Sequence, residues 1–246
     1  MRLLIGWILF FSGSLQASNL IELIPDIKPS VVAIAIHNPT ASPRIRYIGT
    51  GFVTGNGKQV ITNYHVIGKG LNEERREAYV VVSGSARALT IHPVLSRKNA
   101  PQYDLAVLDI AESLPALPLA DDGYAAEGSL IAFTGFPISS VLGLYPATHQ
   151  GIIAAITPIA IPADNSSELH IQALRQLRDP YLVYQLDATA YPGNSGSPLF
   201  NVATGEVIGV INMVHVKSTR ETVLSDPSGI SYAIPVRHVR ELLQQP

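Results

Sequence analysis

Tyr191-Pro192-Gly193-Asn194-Ser195-Gly196-Ser197-Pro198-Leu199 is the stretch on which the chain turns. A serine stands between glycines on a tight turn that leads into a strand. Glycines let the backbone turn its N–H groups into one small space. The N–H groups of Gly193 and Ser195 would then bind a developing oxyanion. A serine hydroxyl at its ordinary pKa is a poor nucleophile, so this chemistry requires a base. By itself the stretch is as readily a plain Gly/Ser turn.

The base candidate is His65, in Val60-Ile61-Thr62-Asn63-Tyr64-His65-Val66-Ile67, just past a strand. The third member is Asp104, in Tyr103-Asp104-Leu105-Ala106-Val107-Leu108-Asp109-Ile110. An aspartate at the head of an apolar strand is oddly placed unless it has a partner. Asp109 competes, but five residues along a strand put it on the opposite face. The chain order is His, Asp, Ser, with 39 residues from His65 to Asp104 and 91 from Asp104 to Ser195. That is the chymotrypsin order; α/β-hydrolases and subtilisins have others. The turn also lacks the G-x-S-x-G elbow, since Ser197 stands at its last position. No HExxH, Walker A or dinucleotide fingerprint is present, and no metal or cofactor is expected.

Composition narrows the classes. The chain has 246 residues, a net charge of −2, 47% hydrophobic residues and only 15% charged ones. The charge is too balanced for a nucleic-acid partner, which would need clustered Lys and Arg. The apolar fraction is too high for a disordered protein. With no cysteine there is no disulfide scaffold, no thiol nucleophile and no Cys-ligated metal. The 19 Gly and 18 Pro point to many turns, hence to an all-β architecture.

Short apolar runs between turn residues support that architecture. Ser30 to His37 is rich in β-branched residues. Tyr47 to Thr54 and Gln59 to Asn63 flank Gly55-Asn56-Gly57, a hairpin signal. Other strand-like runs are Ala78–Ser83, Ala86–Leu95, Leu105–Ile110, Ser129–Thr134, His149–Ile156, Tyr181–Asp187, Val207–Val214 and Ile230–Ile234. Val236 to Gln244 follows Pro235 and reads as a terminal helix, with Val236, Val239, Leu242 and Leu243 on one face. Ser166 to Arg178 is a weaker helical pattern. The turn-rich Pro115 to Gly128 would join two β-units, 18–120 and 121–246. Ahead of them, residues 1–17 have the shape of a secretory signal peptide: Arg2, an apolar run from Leu3 to Phe11, and Ala17 at the cleavage point. The apolar run is shorter than the roughly 18–20 residues of a membrane span. Export to a bacterial periplasm or exterior is therefore expected, with no stable membrane span after cleavage.

Thr62-Asn63-Tyr64-His65-Val66, Asp104-Leu105-Ala106-Val107-Leu108-Asp109-Ile110 and Gly193-Asn194-Ser195-Gly196-Ser197-Pro198 together resemble the signatures of trypsin-like serine proteases. They look closest to the bacterial branch of HtrA/Deg proteases and glutamyl endopeptidases. Ile230 to Val236 resembles the segment that closes the HtrA protease unit. The similarity covers roughly residues 28 to 243. It implies two packed six-stranded β-barrels with a short C-terminal helix. The active site would lie in the cleft, with His65 and Asp104 from the first barrel and Ser195 from the second. It implies a serine endopeptidase acting on polypeptides through His65, Asp104, Ser195 and the Gly193 and Ser195 N–H groups. The other expectation is a catalytically quiet relative that binds peptides through the same cleft.

Departures from the family pattern carry their own expectations. Zymogen-type members have an aspartate where Asn194 stands, so activation through a new N-terminus is not expected here. The chain ends about ten residues past the segment that closes the protease unit, which leaves no room for a PDZ domain. Ile211 occupies the place of the histidine that gives glutamyl endopeptidases their acidic preference. Thr189, Ile211, Met213 and Val214 are expected to line an apolar S1 pocket. The oligomeric state is not legible.

Overall fold

The computed structural model describes residues 20–86, 88–138, 143–159, 181–212 and 230–245. The expected signal peptide and the helical pattern of 166–178 lie outside the described residues.

The first half opens with helix α1 (Leu20–Ile27), which the sequence patterns did not suggest. Strands β1 (Val31–His37) and β2 (Ile45–Thr54) follow, then β3 (Gln59–Asn63). The expected hairpin over residues 55–58 joins β2 to β3. A single turn of helix, α2 (Tyr64–Ile67), leads on to β4 (Ala78–Ser85), β5 (Ala88–Pro93), β6 (Ser96–Ala100) and β7 (Leu105–Asp109). These strands form an antiparallel sheet in the order β5-β4-β1-β2-β3-β7-β6. It has seven strands where six were expected. The extra strand is β6, whose Ser-Arg-Lys-Asn-Ala sequence has no apolar alternation. As an edge strand it is largely exposed, so water rather than a core sets its composition.

The second half is β8 (Leu130–Gly135), β9 (Ala147–Pro158), β10 (Leu182–Asp187), β11 (Pro198–Asn201), β12 (Val207–Asn212) and β13 (Ile230–Pro235). They close into a barrel in the order β10-β13-β12-β11-β8-β9. The expected all-β, two-unit fold is therefore present, with its second unit a closed six-stranded barrel.

Three apolar clusters explain the continuous hydrophobic runs. Successive residues of a strand face opposite sides. In β1, Val32, Ile34 and Ile36 pack inside the first sheet with Val53, Val60 and Leu108. Val31, Ala33 and Ala35 face the other way, into a cluster shared by both halves that includes Phe52, Leu105, Phe136, Phe200 and Val210. Burial on both faces removes the polar alternation of a half-exposed strand. The third cluster fills the barrel with Ile131, Phe133, Ile153, Tyr184 and Ile211.

The connection between the halves is laced to both. Leu117 N–H donates to Val53 O at 2.9 Å, and Ala120 N–H donates to Val207 O at 2.9 Å. The expected C-terminal helix, α3 (Val236–Gln244), buries Val236, Val239 and Leu242 in the shared cluster. His238 stacks on Tyr103 with ring centroids 4.0 Å apart, which fastens the helix to the loop that carries Asp104. Among the described residues no helix is long and apolar enough to cross a membrane.

Candidate active site

Strand register brings the first two candidates together. In the β3–β7 pairing Asn63 lies opposite Leu105, so the residues just outside the ladder, Tyr64 and Asp104, are neighbours. Tyr64 N–H donates to Asp104 O at 3.0 Å, and Asn63 Nδ2 donates to the same oxygen at 3.1 Å. Asp104 adopts a left-handed backbone, φ 52° and ψ 42°. Aspartate tolerates that region better than most residues. The bend turns its carboxylate onto α2. Oδ1 accepts the His65 backbone N–H at 2.8 Å, and Oδ2 lies 2.6 Å from His65 Nδ1. A carboxylate oxygen accepting at Nδ1 makes Nδ1 the ring's donor, which leaves Nε2 as the acceptor in that tautomer. Asp109 is engaged elsewhere, accepting from Ser96 Oγ across the β6–β7 pair.

Tyr181 belongs to the surroundings of Asp104. Its ring packs edge-on against Tyr103 at 5.3 Å. Burial holds its phenol well above the usual range, and the Asp104 and Tyr103 charges add to that.

The serine turn is pinned from beneath. Asn194 N–H donates to Tyr191 O at 2.9 Å and Ser197 N–H to Asn194 O at 3.0 Å. Gly196 N–H donates to Ile211 O, and Ile211 N–H donates to Ser197 O, both at 2.9 Å. Ile138 N–H donates to Pro192 O at 2.8 Å. Of the backbone N–H groups of residues 193–197, those of Gly193 and Ser195 have no protein partner among the described residues. Gly193 has φ +100°, a conformation open to glycine. Ser195 itself is buried, with 8% of its surface exposed.

The turn belongs to the second half but rests on β2 of the first. Thr50 N–H donates to Ser195 O at 2.9 Å. Thr50 Oγ1 donates to Gly193 O at 2.6 Å. Just before it, a Cβ added to Gly49 would lie 2.8 Å from a Val66 methyl and 3.3 Å from Ser195 O. The helix that carries His65 and the turn that carries Ser195 thus close on the same glycine. Sequence patterns did not single out Thr50. It stands between two glycines in β2, which by itself does not tell what it will meet.

The expected S1 residues are only partly described. Thr189 is half-buried after β10. Ile211 is fully buried among the barrel side chains, and its backbone supports the serine turn from below. Met213 and Val214 lie outside the described residues. Asn194 is fully buried, and neither its Oδ1 nor its Nδ2 has a protein partner among the described residues.

The structure brings Asp104 onto His65, and among the described residues no hydrogen bond joins Ser195 Oγ to the His65 ring. The family model for the trypsin-like peptidase domain matches residues 49–210, and the chain belongs to that family. Its relatives are HtrA and Deg proteins. The chain is 30% identical over 202 residues to the "Probable periplasmic serine endoprotease DegP-like" of Halomonas elongata, which covers 81% of this chain and 35% of that protein. It is 31% identical over 235 residues to the mitochondrial serine protease HTRA2 of Bos taurus, covering 94% of this chain and 43% of the relative. The chain therefore spans less than half the length of these curated relatives. Among solved structures, the serine endoprotease from Yersinia pestis superposes with a TM-score of 0.63 at 23% identity, over 92% of this chain and 65% of that one. The active form of a protease from M. tuberculosis gives 0.64 at 23% identity, over 91% and 86% of the two chains. At that identity these likenesses speak to the fold.

Proposed function

We propose that the protein is an exported serine endopeptidase that hydrolyses peptide bonds through His65, Asp104 and Ser195. The observation that carries the proposal is the double contact of Asp104 with the backbone and ring of His65. His65 Nε2 takes the proton of Ser195 as Oγ attacks the peptide carbonyl. Asp104 keeps the ring in the tautomer that can accept it and stabilises the imidazolium that forms. The unpartnered N–H groups of Gly193 and Ser195 receive the oxyanion. His65 then protonates the leaving amine, and water releases the acyl group.

Export rests on residues 1–17 and agrees with the names of periplasmic relatives. An apolar P1 preference rests on Thr189, which offers no charge for Lys or Arg. Since an apolar pocket discriminates by only about 1–3 kcal/mol per methylene, specificity is broad. The test is labelling with a serine-directed fluorophosphonate, together with a casein digest. Wild type labels and digests, and Ser195→Ala does neither. A wild-type protein that neither labels nor digests overturns the proposal in favour of a peptide-binding module.

A further inference from the structure

We infer that Thr50 is a positioning residue for the oxyanion site, holding in place the two peptide planes on either side of the Ser195 N–H group; this rests on the peptidase proposal above. A peptide unit is planar, so its N–H and C=O turn together. The Ser195 N–H belongs to the Asn194–Ser195 plane. Ser197 N–H donates to Asn194 O of the same plane at 3.0 Å and so holds its tilt, while its place depends on the planes on either side. The plane before it carries the Gly193 C=O, and the plane after it carries the Ser195 C=O.

Thr50 holds both of those carbonyls. Its hydroxyl donates to Gly193 O at 2.6 Å, and its backbone N–H donates to Ser195 O at 2.9 Å. The direction of the hydroxyl proton follows from the other partner. Phe136 N–H can only donate, and it lies 3.0 Å from Thr50 Oγ1. The oxygen accepts there, so its own proton points at Gly193 O. Thr50 is itself braced, because Thr62 Oγ1 donates to Thr50 O at 2.7 Å. Thr50 is fully buried. One residue of the first sheet thus fixes the two planes that flank the nucleophile's N–H in the second unit. A valine of the same shape would keep the backbone bond and lose the hydroxyl one.

The experiment compares Thr50→Val and Thr50→Ser with wild type in the full chain. Peptide hydrolysis, affinity for a peptide boronate that mimics the tetrahedral adduct, and amide hydrogen exchange of residues 191–197 are measured. Thr50→Val lowers kcat by roughly 10- to 100-fold, the scale of a small misplacement at a reacting centre, with KM little changed. Boronate affinity falls by a similar factor, and exchange at Asn194, Gly196 and Ser197 quickens. Thr50→Ser restores all three to within a few-fold of wild type. A reactive wild type with Thr50→Val equal to it overturns the inference, as does a Thr50→Ser variant as impaired as Thr50→Val. An inert wild type whose exchange pattern still depends on the hydroxyl overturns the peptidase proposal and leaves the Thr50 clamp standing.

Discussion

Asp104 engages His65 with both carboxylate oxygens, one on the backbone N–H at 2.8 Å and one beside ring Nδ1 at 2.6 Å. The two contacts have separable jobs. The first fixes the start of α2, and the second fixes the tautomer of the ring. Asp104→Asn keeps an acceptor for the backbone but can present an NH₂ to Nδ1, which favours the wrong tautomer. The expected result is a folded protein with kcat lowered by about 10³- to 10⁴-fold. Steady-state hydrolysis and a melting curve, run together, check it. Unchanged kcat would remove Asp104 from the machinery.

Asn194 is buried where zymogen-type relatives carry a charge, and no protein group pairs with its side chain among the described residues. Asn194→Asp would place an unpaired carboxylate there, costing about 3–5 kcal/mol at neutral pH. Burial would raise the folded-state pKa above the unfolded value of roughly 3.9. The penalty is then absent below the unfolded pKa, grows as pH rises, and is complete above the raised folded value. Urea unfolding of the variant and wild type at pH 4 and pH 7 reads this directly. Wild type, with a neutral Asn, is expected to label with fluorophosphonate without an internal cut, as intact mass would show.

A half-buried histidine, His149, and a buried one, His238, make stability depend on mild acid. Burial lowers the pKa of His149, which stacks on Phe133. Burial also lowers that of His238, with Glu241 opposing and Arg237 adding to the effect. The unfolded chain binds protons on these rings at about pH 6.5 and below, while the folded chain resists until the lower folded values. Stability is therefore full above about 6.5 and falls as pH drops through the window beneath it. His238→Gln should flatten the melting temperature measured between pH 8 and pH 5. An equally steep profile in the variant would exclude His238 as a source.

Gly196 stands at φ +87°, and a Cβ there would collide with Thr50 O and lie 2.6 Å from Thr62 Oγ1. Gly196→Ala must therefore move the serine turn off β2. Left-handed strain alone costs about 1–3 kcal/mol, and the collision adds to it. A lowered melting temperature with lost fluorophosphonate labelling is the expected pair of results. Wild-type labelling in this variant would mean that the turn tolerates displacement.

Most of the strands were legible because both faces of the core strands are buried. Ser30–His37 and Gln59–Asn63 are apolar runs bounded by turn residues, and they are strands β1 and β3. Two elements were not legible. Strand β6 is polar because it lies at an exposed edge. Helix α1 contains Pro25 and precedes any strand pattern, and only Ile27 of it is buried. The contact of His65 with Asp104 was legible as a spacing argument, and the ladder that sets Asn63 opposite Leu105 supplies its physical cause.

What the sequence by itself determined is the order of the parts: two sets of short strands, a histidine after the third strand, an aspartate before an apolar strand, and a serine on a glycine turn. Those features are local, written in periodicity and turn chemistry. The support of the serine turn was decided only by tertiary structure. Thr50 and Gly193 are 143 residues apart, and their bond exists because two β-units pack face to face. No local pattern marks a threonine as the residue that will meet a turn in the other half. Its role depends on where the shared core, built from Phe52, Phe136 and Phe200, sets one sheet against the other.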